Sequence, residues 1–337
     1  MSPLHPLSER RHALKMLVGS ALTGSGLLVP AATKAQDKWP SKPIKILVGT
    51  APGGSADLVL RPTINQLSPK LGQPLILEHR PGANQTIAVG AVAKAAPDGY
   101  TLGFATDAPM SLAPALPAPL PYQPAELTPI AVMEHVSLVL VTHVQNPITS
   151  LANLVARAKA NPGKISYGSL GIGSIAHIAL EIFAMENGIE LLHVPYSGTG
   201  PAVMATAARD VDLTFVSVGV VLPHIPGRLK AIAMAGIQRS PLLPNTPTFL
   251  ESGYKEFEVR AWFGIVAPRL TPEPIVTQLR REIWNIVSTD DFEKNVLAPM
   301  AAEKSTVPPD RLEAFMLADQ RKWAEWVKRL GARVKLI

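Results

Sequence analysis

Ser166-Tyr-Gly-Ser-Leu-Gly-Ile-Gly-Ser-Ile-Ala-His177 decides how this chain is read. A short strand from Lys164 to Tyr167 enters a Gly/Ser turn, and an apolar helical run from Ile175 to Met185 follows at once. Gly168, Gly171 and Gly173 allow a tight turn and close approach to a ligand, and Ser169 or Ser174 can cap the helix. The first amides of a helix lack intrahelical partners and sit at the positive end of its dipole, so such a junction suits an anion.

Working outward, the same plan recurs. Ile44 to Val48 is a short buried-type strand, followed by Gly49-Thr-Ala-Pro-Gly-Gly-Ser-Ala-Asp57 and a helical pattern through Leu71. Ser55 is the expected N-cap there, with Asp57 in the first turn favourable to the dipole. A strand at Leu75 to Glu78 leads to His79-Arg-Pro-Gly-Ala-Asn-Gln85 and an Ala/Val-rich helix. Thr101 to Ala105 is a third strand, ending at Thr106-Asp107. This β-α-β-α-β order predicts a mainly parallel sheet with helices on both faces and ligands at the strand C-termini.

The Pro-rich stretch Leu112 to Pro129 reads as a surface loop, and Ala131 to Thr142 as a long strand. After the Gly/Ser turn, a strand at Leu191 to Val194 runs into Pro195-Tyr-Ser-Gly-Thr-Gly-Pro201, then a helix and a strand at Asp212 to Val216. Two copies of one supersecondary plan predict two similar α/β domains. Amphipathic helices are expected at Pro272 to Ser288 and Pro309 to Leu330, the latter with a Trp/Met stripe suited to packing.

Composition narrows the function. The 337 residues include no Cys, which excludes disulfides, thiolate metal sites and Cys nucleophiles. Arg10, Arg11 and Lys15, an apolar run from Met16 to Val29 and small residues before Ala35 make residues 1–35 an export signal, by the Sec or the twin-arginine route. That segment carries half of the chain's net charge of +6. The rest is mildly positive and lacks basic runs interleaved with aromatics, so nucleic-acid binding has no support. The eight His lack ligand spacing, and no G-x-S-x-G, H-E-x-x-H or complete Walker A sequence occurs. No metal, no cofactor and no catalytic residue is expected. Gly171-Ile-Gly-Ser-Ile-Ala176 formally matches a dinucleotide fingerprint, but export argues against a nicotinamide cofactor.

Ala51-Pro-Gly-Gly-Ser-Ala-Asp57, Arg80-Pro-Gly-Ala83, Ala96-Pro-Asp-Gly-Tyr100, Asn161-Pro-Gly-Lys164, Tyr167 to Ser174 with His177, and His193-Val-Pro-Tyr196 stand in a characteristic order. Pro247-Thr248, Glu251-Ser-Gly253 and Trp262-Phe-Gly-Ile-Val-Ala-Pro268 complete the series. Together they resemble the Bug-type (TctC-like) solute-binding proteins of tripartite tricarboxylate transporters, over essentially the whole mature chain.

The resemblance implies a two-lobed periplasmic binding protein fold of type II character with a ligand cleft. Lobe 1 would be 37–142 plus 264–337, and lobe 2 would be 143–263. It implies a small organic carboxylate as ligand, held by backbone amides of Gly-rich loops, in a monomeric periplasmic protein that serves membrane transporter subunits. A sensory binding protein read by a signalling receptor, or an exported α/β enzyme, are the alternatives. The expected ligand-binding residues are Pro52, Gly53, Gly54, Ser55, Asp57, Asn84, Gln85, Thr106, Asp107, Ser169, Gly171, Gly173, Ser174, His177, Tyr196, Ser197, Gly198, Thr199 and Trp262. Asp57 is better suited to cap or brace its loop than to touch an anion directly, Trp262 can equally pack in the core, and Arg260 could supply a counter-charge. Asn84-Gln85 stands where relatives often have Gly-Gly, and Thr106-Asp107-Ala108 is atypical.

Overall fold

The computed structural model describes residues 39–331, so the export signal lies outside the described residues. The chain runs β1 (Ile44–Val48), α1 (Ser55–Leu71), β2 (Leu75–His79), α2 (Thr86–Ala93), β3 (Thr101–Thr106) and β4 (Leu127–His143). It continues through α3 (Leu151–Ala160), β5 (Ser166–Ser169), α4 (Ile175–Asn187), β6 (Leu192–Pro195), α5 (Thr199–Ala208), β7 (Leu213–Ser217), the single turn α6 (Val218–Val221) and β8 (Leu229–Met234). It closes with β9 (Arg260–Pro268), α7 (Glu273–Val287), the single turn α8 (Asp290–Phe292), β10 (Ala302–Lys304) and α9 (Leu312–Leu330).

The strands join in the order β2-β1-β3-β9-β4-β7-β5-β6, with β8 and β10 also on β4. β1 pairs in parallel with β2 and β3, and β5 with β6 and β7, as the β-α-β pattern requires. The strands that carry the chain between the halves pair antiparallel, so the sheet is mixed. β4 is the pivot. Its residues 127–137 pair with β9, and 138–143 pair with β7 and β8.

Residues 127–142 are all buried, because elements cover both faces of this strand. Glu134 and His135 sit within it. Burial raises the Glu134 carboxyl to about 8 and lowers the His135 imidazole to about 4, so both are neutral at pH 7.

Alternation along the strands divides the core between the two faces of each half. Ile46 and Val48 pack with Val59, Leu60, Leu279 and Ile283 of α1 and α7. Leu47 packs the other way, with Val89, Val92, Trp262, Leu312 and Met316. In the second half Leu140, Tyr167 and Phe215 meet α3 and α4, while Val139, Val141 and Val216 meet α5.

Two segments differ from the sequence expectation. Leu112, Ala115 and Leu116 of the Pro-rich stretch pack against the second half's core instead of forming a surface loop. Leu112 is buried there and Ala115 and Leu116 half-buried, where the stretch breaks into short helical turns at Ala108–Leu112 and Ala113–Ala115. α9 is also shared. Leu312 and Met316 belong to the first half's core, whereas Trp323, Trp326, Val327 and Leu330 pack with Ile178, Phe183 and Phe257 of the second.

Candidate functional site

The candidate loops all leave the C-terminal ends of parallel strands. The β1–α1 loop is held from inside. Asp57 is buried and accepts a hydrogen bond from the Gly53 N–H, and its Oδ1 lies 3.3 Å from His79 Nε2. His79 Nδ1 donates to the Thr50 carbonyl at 2.8 Å, since a carbonyl can only accept. Asp57 therefore braces the turn. Gly54, not Ser55, is the N-cap; Ser55 is the first helical residue, because no side-chain bond fixes the cap there. Pro52 and Gly53 are exposed, and Gly54 and Ser55 half-buried.

The β2–α2 loop meets it. Ala83, Asn84 and Gln85 all have positive φ, at 44°, 50° and 72°. Gln85 lies directly on Gly49, where an added Cβ would stand 2.5 Å from the Gln85 Cβ. Gln85 Nε2 donates to Thr106 Oγ1 at 3.1 Å. Asp107, at the end of β3, is fully buried. Burial first, and the Asp319 carboxylate next, push its carboxyl well above the usual carboxylate range, which favours the uncharged form. Its Oδ1 accepts from the Ala108 N–H.

In the second half, Ser174 caps α4 by accepting from the His177 N–H at 3.3 Å. The amides of Ile175 and Ala176 thus open the helix without intrahelical partners. Gly171 and Gly173 have φ of 110° and 74°, the region that glycine reaches without cost. Ser169 is turned inward: its Oγ lies 2.6 Å from His193 Nε2 and accepts from the Gly171 N–H at 3.0 Å. The His177 ring lies 4.3 Å from that of His193, which stacks on Tyr167 at 5.0 Å. His177 Nδ1 accepts from the Gly173 N–H at 3.2 Å. In the β6–α5 loop the Tyr196 N–H donates to the Ser169 carbonyl at 2.9 Å, and its ring covers Gly168. Ser197 is exposed, Gly198 caps α5, and Thr199 begins that helix.

The structure thus gathers 49–57, 83–85 and 106–107 in the first half, and 169–177 and 196–199 in the second. The Asn84 Nδ2 donates to the Gly173 carbonyl at 3.2 Å and joins the two groups. Trp262 stands apart. It is buried, and its indole N–H donates to Asp319 at 2.9 Å, which makes it a packing residue of the core. Arg260 is taken by Glu258 and Glu303, so it is not a free counter-charge. His193, 24 residues from Ser169 in sequence, is the partner that spacing could not reveal. The Ser169–His193 pair has the geometry of a nucleophile and base, but Ser169 is fully buried and out of a substrate's reach. Among the described residues no group of His, Cys, Asp and Glu is placed to hold a metal, and no helix is long and apolar enough to cross a membrane.

Over residues 59–331 the sequence matches the family described as tripartite tricarboxylate transporter family receptor. The chain belongs to this family. It is 34% identical over 328 residues to the protein BugT of Bordetella pertussis, covering 96% of this chain and 98% of BugT. An R. palustris protein solved with adipate is 29% identical, with a TM-score of 0.81 over 87% of this chain and 98% of its own. MatC from Rhodopseudomonas palustris with bound malate is 29% identical, with a TM-score of 0.77 over 86% and 99%. Solved periplasmic binding proteins share this two-lobed α/β fold.

The His pair makes the receptor sensitive to acid. Burial, and for His177 also the neighbouring His193, lowers both imidazoles to about 4. The unfolded chain then binds more protons than the folded one between roughly pH 6.5 and 4. Stability from this pair is present above pH 6.5 and is lost as pH falls through that window. The melting temperature is expected to drop over it, and less steeply in His177→Asn, whose side-chain oxygen can still accept from Gly173. Equal slopes in the two proteins would exclude this account.

Proposed function

We propose that the protein is a periplasmic receptor that captures a small organic carboxylate in the cleft between its lobes and delivers it to the membrane subunits of a tripartite transporter. The observation that carries this reading is the bond from Asn84 in the β2–α2 loop, whose Gln85 rests on Gly49 ahead of α1, to Gly173 in the turn before α4; the turns at 51–56, 168–174 and 196–201 hold no Lys or Arg. Charge recognition there falls to helix amides and dipoles, which match carboxylates in strength without a buried cation. Adipate and malate bound by the two R. palustris relatives support the ligand class. Asp107, buried and bonded to the Ala108 N–H, has its carboxyl pushed toward the uncharged form, which lessens the obstacle that its position raised.

In this reading the lobes exchange at 137/138 on β4 and at 259/260 before β9, where the sheet changes partners. The protein acts as a monomer that closes on its ligand without chemical turnover. A ligand touching both lobes favours the closed form by differential contact.

The test is thermal unfolding of the exported chain with adipate, malate, succinate, aspartate and benzoate. Ligand at 100 times its Kd adds about 2.7 kcal/mol, a rise of several degrees in Tm. No shift with any of them, in folded protein free of carried-over ligand, would remove the carboxylate reading.

A further inference from the structure

One bond in the cleft joins the protein to itself. Asn84 Nδ2 on the first lobe donates to the Gly173 carbonyl on the second, at 3.2 Å. Both ends of that bond are fixed. The Gly173 N–H is held by His177 Nδ1, and a Cβ on Gly173 would stand 2.8 Å from Leu116 Cδ1, so the turn has no slack. On the other side, Asn84 is flanked by Ala83 and Gln85, also at positive φ. Gln85 rests on Gly49 and is tied to Thr106. The amide is therefore presented from a rigid ledge.

Left-handed backbone is costly for most side chains, and asparagine is among the few that visit it readily. Glycine would adopt the same φ freely but could not reach across the cleft. The residue present is the one that tolerates the backbone and still supplies a donor.

We propose that Asn84 is a latch that sets ligand affinity by holding the lobes together before ligand arrives. The affinity consequence rests on the carboxylate-receptor reading; the latch itself does not. A contact made only between closed lobes raises the closed fraction, and apparent affinity scales with the fraction of binding-competent molecules. One net hydrogen bond changes the closed-to-open ratio by roughly twofold to tenfold.

The chain has no Cys, so two introduced thiols are the sole labelling sites. Lys70→Cys at the end of α1 and Lys159→Cys on α3 are exposed, one on each lobe. Spin-label distances between them are measured in the ligand-free exported chain, with Asn84 intact, as Asn84→Asp and as Asn84→Gly. Asp is isosteric and tolerates the same φ, but it sets oxygen against the Gly173 carbonyl; Gly relieves the backbone and removes the donor. The short-distance population is expected to dominate with Asn84 and to fall roughly twofold to tenfold relative to the open form in both variants. Thermal unfolding checks that each variant is folded. Identical distance distributions in all three proteins, or a fully open ligand-free protein with Asn84 intact, overturn the latch. The same samples titrated with adipate and malate separate the two ideas. Loss of the short distance together with weaker binding supports both. Loss of the short distance with no carboxylate bound by any of the three keeps the latch and discards the ligand class.

Discussion

Gly54→Trp is expected to abolish carboxylate binding while the fold survives. Gly54 caps α1 with φ −83° and ψ −175°, an extended conformation open to any residue. A Cβ there would have only the Ala51 carbonyl oxygen near it, at 3.6 Å, an ordinary contact. An indole at this position would lie over the Ser55 and Ala56 amides that open the helix. Hydrogen bonds to a charged ligand contribute about 1.5–3 kcal/mol each, so losing two of them weakens binding by roughly a hundredfold or more. Calorimetric titration with the carboxylate found by thermal shift, alongside a melting curve, reads both effects. Unchanged affinity in a folded Gly54→Trp protein would take the α1 N-terminus out of the site. Gly173→Trp is the less informative variant, because its φ of 74° and the nearby Leu116 would strain the turn itself.

The largest stability effect is expected from Gly264→Ala, a single methyl group at the centre of β9. Its Cβ would stand 2.3 Å from the Ala131 carbonyl oxygen, a backbone atom of β4. The contact falls where the β4 register shifts between Val132 and Glu134, opposite Gly264. Neither can move away cheaply. β9 is paired on both sides, with β3 and β4, and β4 is buried along this stretch. Overpacking of this kind costs on the order of 3 kcal/mol, which in a chain of this size lowers Tm by roughly 5 °C. Gly198→Ala is the control, since its extended backbone and nearest neighbour at 3.7 Å leave room for the methyl group. A urea midpoint for Gly264→Ala equal to that of the unaltered protein would show that β4 and β9 can separate at this point.

The sequence signals that carried furthest were local ones. Short apolar strands followed by Gly/Ser turns and helix starts placed β1–α1, β5–α4 and β6–α5, because turn chemistry and capping are decided within a few residues. Ser174 as a cap and Gly171 and Gly173 as left-handed positions follow from the same local rules. Ser55 did not cap, since Gly54 reaches the required extended backbone without a side-chain bond. The prolines mark the breaks in the Pro-rich stretch, and 117–121 runs largely exposed as a surface loop does, while the burial of Leu112 depends on a core built some 70 residues later. α9 shows the same limit: its apolar stripe is visible in the sequence, but its division between two cores is not.

By itself, the sequence determined the α/β plan, the family and the loops that carry glycine and hydroxyl groups in place of cations. Those are properties of short segments, set by backbone freedom and hydrophobic period. Only the tertiary structure decided which side chains remain available to a ligand. Ser169 is spent on His193, Asp57 on Gly53, Trp262 on Asp319, and Asn84 reaches Gly173 across 89 residues of sequence. A polar group's role depends on the partner that satisfies it, and for all of these but Asp57, whose donor is four residues away, the partner comes from a distant part of the chain.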